Sequence, residues 1–138
     1  MTFDLIQAPL NIIDRRLEKS GWLSRLYQEG IEIHTRSTFL QGLLLMKKKE
    51  IPKKFEKWSY LLDKWFNELD KNNTTALKEC LTYPLSLSKI SRVIVGVDNN
   101  NHLIEIIDSI NKVDFNRDWS FMSNDDEMLI NPKNWKKI

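Results

Sequence analysis

The chain has 138 residues, 41% of them hydrophobic and 29% charged, which is enough to build the core of one domain. Its formal net charge of +2 argues against a nucleic-acid partner, because proteins that bind polyanions concentrate many basic residues on one surface. The single cysteine, Cys80, excludes an internal disulfide and a cysteine-based metal site. No apolar run approaches the roughly 18 residues of a membrane span, and residues 1–4 lack the pattern of a signal peptide, so we expect a cytoplasmic protein without a membrane partner.

The first part of the chain predicts a strand, a helix and a second strand. Residues 3–7 form a short apolar run that Pro9 ends, and residues 31–34 form another run directly after Gly30. Between the two runs, apolar side chains recur at helical spacing: Trp22, Leu23, Leu26 and Tyr27. This succession is typical of a parallel sheet, because parallel neighbours need a crossover connection.

Two helices are predicted in the middle of the chain. Apolar spacing indicates a long helix over residues 55–69. Thr74 or Thr75 is a suitable cap for a second helix, which Pro84 is expected to end. Cys80 falls within the apolar pattern of that second helix, so we interpret it as a buried structural thiol.

A third strand and an irregular tail complete the predicted elements. Residues 92–95 form a continuous apolar run, which is typical of a strand buried on both faces. An amphipathic helix is expected at residues 103–110. The tail, residues 113–138, is expected to pack on the body through its apolar side chains Trp119, Leu129, Ile130 and Trp135.

The predicted fold class is α/β, with about three parallel strands and flanking helices. Such a small parallel sheet leaves two edges with unpaired backbone groups and apolar surface to cover. One interpretation is the C-terminal portion of a (β/α)8 barrel, which usually takes about 250 residues. A small self-contained three-layer domain is the alternative, and the pattern alone does not separate the two.

Three segments favour the barrel. In order and spacing, residues 5–14 (LIQAPLNIID), 33–44 (IHTRSTFLQGLL) and 93–105 (VIVGVDNNNHLIE) resemble the last three strand–loop segments of the aldo/keto reductase family. Residues 130–135 (INPKNW) resemble the end of bacterial members associated with surface-polysaccharide or sugar metabolism. The resemblance implies that residues 1–112 are the last three strand–helix units of the barrel and that residues 113–138 are a tail packed on it.

The resemblance also implies an activity, and it implies that the catalytic residues of the family are absent from this chain. The family reduces small-molecule carbonyl substrates with NADP(H) or NAD(H) and without a metal. Its catalytic aspartate, tyrosine, lysine and histidine lie on earlier strands, so this chain is expected to hold no catalytic residue and to need the N-terminal half of the barrel as its partner. The tyrosines present, Tyr27, Tyr60 and Tyr83, follow helical patterns, and we interpret them as packing residues.

In the first two segments, the resemblance implies several cofactor-binding residues. Gln7 is expected to end the first strand and to hydrogen-bond the nicotinamide carboxamide, while Asn11 shapes the loop that follows. In the second segment the family grips the pyrophosphate with backbone N–H groups and a serine, which Ser37 matches. Arg36 stands where many members have an aromatic residue, and it is expected to stack on the ring or to bind substrate or phosphate. The rest of this part of the predicted site is Phe39, Gln41 and Gly42.

The third segment is expected to meet the adenosine end of the dinucleotide. Gly96 lets the backbone approach closely, and the start of the next helix favours a phosphate. His102 stands where the family often has arginine or glutamine, and Glu105 matches a residue that accepts from the adenine amino group. Asp98 adds negative charge beside Val97, so the choice between NADP(H) and NAD(H) stays open.

Two other interpretations remain on the sequence alone. The chain is alternatively a non-catalytic module that forms a homo-oligomer through its exposed sheet edges or binds a partner. A basic interaction surface at residues 47–54 is a weaker alternative, and it would show strongly salt-dependent binding to a polyanion.

Overall fold

A computed structural model describes residues 3–138 and contains one sheet of three parallel strands in the order β1-β2-β3. The strands are β1 (Leu5–Pro9), β2 (Glu32–Arg36) and β3 (Arg92–Val93). β2 pairs with β1 along its whole length and with β3 over two residues only. With helices flanking this sheet, the predicted α/β class is confirmed.

Six α-helices and five short 3₁₀ segments make up most of the remaining described structure. The α-helices are α1 (Arg16–Lys19), α2 (Trp22–Gln28), α3 (Ser59–Lys71), α4 (Ala76–Ser86), α5 (Asn100–Ile110) and α6 (Glu127–Ile130). The 3₁₀ segments are Leu43–Leu45, Lys48–Glu50, Lys53–Trp58, Ser120–Met122 and Pro132–Lys137. No helix among residues 3–138 is long and apolar enough to cross a membrane.

The two faces of the sheet differ in what covers them. Ile33 in the centre of β2 is fully buried against Leu23 and Leu26 of α2, so one face is covered by a helix. Alternate side chains point to the opposite face, and the register places them in rows across the strands. This second surface, called the open face below, carries Leu5, Gln7, Pro9, Glu32, His34, Arg36 and Arg92.

Polar contacts on the open face tie β2 to β3. Glu32 Oε1 lies 2.6 Å from His34 Nε2 and 3.5 Å from Arg92 Nε. The hydrogen bond from His34 is the main reason why the pKa of Glu32 lies below its usual value. The open face is therefore a polar surface, unlike the covered one.

The larger hydrophobic cluster sits beyond the carboxyl ends of β1 and β2. It combines the loops after those strands, residues 10–13 and 40–44, with α3, α4 and the tail. Its largest fully buried side chains are Trp65 and Phe55. Cys80 lies in the same cluster at 0% exposure, and burial raises the pKa of its thiol, as a structural cysteine requires.

The tail joins this cluster through a buried carboxylate. Glu79 of α4 has no exposed surface, and it accepts hydrogen bonds from Trp119 Nε1 at 2.7 Å and from Thr74 Oγ1 at 2.6 Å. Arg117 Nε lies 3.2 Å from the same carboxylate, so the buried charge is paired. Leu129 and Ile130 are buried in the cluster, and Trp135 packs against it.

Several details of the sequence interpretation are wrong. β3 spans only Arg92–Val93 and is not buried on both faces, because Arg92 lies on the open face and is exposed, and Val93 is only half-buried. Tyr27 and Tyr60 are exposed rather than packed, since they lie outside the buried stripes of their helices. Tyr83 is buried and donates to Glu18 Oε2 at 2.6 Å.

Pro84 lies inside α4, two residues before its end, instead of ending the helix. A proline within a helix removes one backbone hydrogen bond and crowds the preceding turn. The helix continues for only two residues after Pro84, and Ser86 Oγ donates to the Tyr83 carbonyl at 2.7 Å, which satisfies one of the free acceptors of the last turn.

Candidate functional site

An open cavity of about 830 Å³ lies where the chain leaves β2 and β3. This cavity, called the cleft below, is bounded by the loop after β2, the loop after β3, and the first turns of α4 and α5. Ligands of open parallel sheets bind at the carboxyl ends of the strands, so the location is typical of a binding site. The predicted site residues that line it are Ser37, Phe39, Gln41, Gly42, Gly96, Asp98, His102 and Glu105.

The loop after β2 has an unusual backbone. Ser37, Leu40, Gln41 and Gly42 all have positive φ, at 64°, 47°, 52° and 82°. Only glycine adopts this conformation freely, so the other three residues must be held in place by their surroundings. Leu40 is fully buried, and its N–H donates to the Ser37 carbonyl at 3.0 Å, which closes a tight turn.

Asn11 fixes this loop from the neighbouring strand. Its Oδ1 accepts from the backbone N–H groups of Ile13 and Asp14 at 3.0 and 2.9 Å. Its Nδ2 donates to the Ser37 carbonyl at 3.0 Å. Asn11 is fully buried, so one side chain shapes the turn after β1 and holds the start of the cleft loop.

Thr38 and Thr75 also line the cleft, and sequence reasoning did not assign either of them to the site. Thr38 is 2% exposed, and its Oγ1 has no hydrogen-bond partner among residues 3–138. Buried hydroxyls are nearly always paired, so an unpaired one in a cavity wall is a feature that a ligand would satisfy. Thr75 caps α4 by accepting from Lys78 N at 3.3 Å, and Ala76 and Leu77 of the first turn of that helix also line the cleft.

The start of α5 forms the opposite wall. Asn99 caps the helix by accepting from the His102 N–H at 3.0 Å, and the His102 ring lies 3.8 Å from Asp98 Oδ2. Ile106, on the other side of α5, is buried. A Cβ at Gly96 would meet no protein atom within 4 Å, so nothing within the described chain requires glycine there.

Three predicted site residues do not line the cleft. Val97 is 44% exposed beside it. Arg36 lines a second, smaller cavity. Gln7 was expected to end its strand, which is wrong: β1 continues to Pro9, and Gln7 is exposed on the open face. Pro9 is tolerated as the last residue of β1 because β1 is an edge strand of the described sheet and needs no N–H on its free side.

A dinucleotide fits the character of the cleft. Its volume lies within the range of about 300–1,000 Å³ that is common for cofactor sites. Two helix starts, three hydroxyl side chains and a loop with left-handed backbone line it, all of which suit phosphate oxygens. No lysine or arginine lines it, so a phosphate bound here would depend on backbone N–H groups and hydroxyls.

Neither a scan of the chain against protein-family models nor a search of curated proteins found a match.

Proposed function

We propose that this chain is the C-terminal, cofactor-binding segment of an aldo/keto reductase-like oxidoreductase and that the cleft binds a nicotinamide dinucleotide. The observation that carries the proposal is that residues from separate loops line one cavity. Ser37, Gly42 and Gly96 come from two different loops, and they meet with His102 around one cavity at the carboxyl ends of parallel strands. These residues are the ones that the family resemblance implies for the pyrophosphate and the adenosine.

The sheet supports the barrel part of the proposal. Its strands lie side by side in chain order, all parallel, with helices on one face. The inner face of a barrel carries side chains from every strand, and the open face with Gln7, His34 and Arg92 is the corresponding surface. We infer that the N-terminal half of the barrel covers this face and provides the catalytic groups.

Within this segment the residues bind and orient but do not react. Ser37 and Thr38 offer hydroxyl groups to phosphate oxygens, and α4 directs its N-terminus at the same place. When bound, the nicotinamide supplies the hydride that reduces a carbonyl carbon. No residue of the chain is assigned to proton transfer, so the isolated chain is expected to bind dinucleotide without turning over a carbonyl substrate.

The charge of the cleft favours NAD(H) over NADP(H). Asp98 and Glu105 line the wall formed by the third loop and α5, and no cationic side chain of the described residues lines the cleft to balance a 2′-phosphate. Adding a dianionic phosphate beside two carboxylates is unfavourable. We therefore expect tighter binding of NADH than of NADPH at neutral pH.

Isothermal titration calorimetry of the full chain tests the proposal. Ser37→Ala and Thr38→Val each remove one hydroxyl, and each is expected to weaken NADH binding by about three- to tenfold, the usual effect of one hydrogen bond. Ser59→Ala is the matched control, because Ser59 is exposed at the start of α3, away from the cleft. Absence of NADH and NADPH binding to the wild-type chain would overturn the proposal.

A second candidate is a non-catalytic module that pairs with a partner or with itself. The observation that favours it is the apolar surface of α5, where Leu103, Ile104 and Ile107 are each at least 43% exposed. Apolar patches of this kind mark interaction surfaces. If the chain forms a dimer through α5, Ile104→Asp is expected to shift its solution mass to that of a monomer, while Asn101→Asp leaves the mass unchanged. A chain that is monomeric at all concentrations excludes self-association.

A further inference from the structure

A second cavity, called the basic pocket below, opens next to the cleft. It has a volume of about 320 Å³ and lies between the carboxyl ends of β1 and β2, with Pro9 and Arg36 in its wall. The tail closes the other side with residues 130–133. Ser37 and Gln41 line both cavities, so the basic pocket and the cleft share one wall.

The lining of the basic pocket is cationic. Arg16, Arg36 and Lys133 line it, and no carboxylate does. Arg16 is already paired, with Asp14 at 2.9 Å and Glu127 at 2.6 Å. Arg36 and Lys133, in contrast, take part in no ion pair among residues 3–138. Two unpaired cations facing one small cavity raise the local concentration of anions and favour their binding.

Both cations are attached to fixed backbone. Arg36 is the last residue of β2, where it pairs in register with Pro9, and its Nη1 donates to Ser37 Oγ at 3.2 Å. The remaining guanidinium N–H groups are available to a planar or tetrahedral anion. The Lys133 N–H donates to Asn131 Oδ1 at 3.2 Å, which caps the last 3₁₀ segment directly after the buried Ile130.

We infer that Arg36 and Lys133 form an anion subsite, separate from the cleft, that binds the carboxylate or phosphate group of the carbonyl substrate. The substrate class is thus an anionic aldehyde or ketone, and this assignment rests on the proposed function. A small cavity with two cations suits one anionic group, and its shared wall with the cleft places the rest of the molecule beside Ser37 and Gln41.

The anion subsite is tested by measuring ligand binding rather than turnover. Titration calorimetry of the full chain at low ionic strength uses three probes: 2-oxoglutarate for the carboxylate, inorganic phosphate for the phosphate, and NADH for the cleft. Arg36→Gln and Lys133→Gln are each expected to weaken binding of the tighter-bound of the two anions about tenfold, as the loss of one charge-assisted contact does. Lys133→Gln is also expected to leave NADH affinity unchanged, because Lys133 does not line the cleft. Arg25→Gln and Lys136→Gln are the controls, since both side chains are exposed elsewhere.

The outcomes separate this inference from the proposed function. Loss of 2-oxoglutarate binding in both variants supports a carboxylate substrate, and loss of phosphate binding supports a phosphorylated one. If neither anion binds while NADH does, the subsite is overturned and the proposed function stands. If Arg36→Gln weakens NADH binding and NADH also displaces the anion, Arg36 and Lys133 bind the phosphates of the dinucleotide instead. This result also overturns the subsite. Anion binding without NADH binding supports the subsite and contradicts the proposed function.

Discussion

At the scale of single residues, Asn11 has the widest influence on the site. Its buried side chain satisfies two N–H groups after β1 and one carbonyl after β2. The Ser37 carbonyl that it holds belongs to the first left-handed residue of the cleft loop. Because left-handed backbone at serine is unfavourable by itself, the loop depends on such outside contacts.

Asn11→Ala is expected to lower the free energy of unfolding by about 2–4 kcal/mol, because two buried N–H groups lose their acceptor and the Ser37 carbonyl loses one of its two donors. Urea unfolding measures this loss, and Asn67→Ala at an exposed position of α3 is the control. Asn11→Asp keeps the acceptor but not the donor to Ser37, so it should weaken NADH binding more than Asn67→Ala does. An Asn11→Ala variant as stable as wild type would show that the loop is held by other means.

At the scale of elements, Asp126 joins α6 to the segment before α3. Its Oδ1 accepts from Met128 N at 3.0 Å and caps α6, while its Oδ2 lies 2.9 Å from Lys57 Nζ and 3.2 Å from Trp58 Nε1. The hydrogen bond from Lys57, followed by that from the Met128 N–H, holds the pKa of Asp126 below its usual value. A carboxylate with these partners is more stable when ionised in the folded state than in the unfolded one.

This shift predicts a pH dependence. The stabilisation from Asp126 is fully present above the ordinary pKa of an aspartate, and it is lost as the pH falls through the lowered pKa of the folded state. Wild type is therefore expected to be more stable than Asp126→Asn at pH 7, with a difference that shrinks as the solution is acidified. Denaturant unfolding between neutral and acidic pH measures it. Asp108→Asn, at an exposed position of α5, should show no such convergence.

Elements were more predictable from the sequence than the contacts between them. The apolar runs located β1 and β2 within two residues of their observed bounds, because apolar side chains mark buried strands. The burial of β3 was overestimated, because an apolar run does not show whether another layer covers each face of the strand. The resemblance pointed to Ser37 and Gly96, which line the cleft, whereas Thr75 was not predicted because only the fold brings the start of α4 to the loop after β2.

At the scale of the whole molecule, the tail is part of the main cluster rather than an appendage. Trp119 donates to the buried Glu79 and packs edge-on against Trp65, with ring centroids 4.9 Å apart. Loss of these contacts would leave a cavity in the centre of the described structure and would remove one hydrogen bond from the buried Glu79 carboxylate.

Trp119→Ala is accordingly expected to destabilise the whole chain by roughly 3–5 kcal/mol, the usual cost of removing a buried tryptophan. Unfolding followed by circular dichroism and by the fluorescence of the other tryptophans should show one coincident transition for both signals. Trp22→Ala is the control, because that side chain is 51% exposed. A tail that melts separately, with the rest unchanged, would contradict this description.

The position of Cys80 has a practical consequence. It is the one thiol of the chain, and it has no contact with solvent in the folded state. An alkylating reagent reaches it only when α4 separates from its neighbours, so the labelling rate reports how often this region opens. The labelling rate of Cys80 can therefore be compared between wild type and each variant above. The comparison needs no attached probe and has no background from other cysteines.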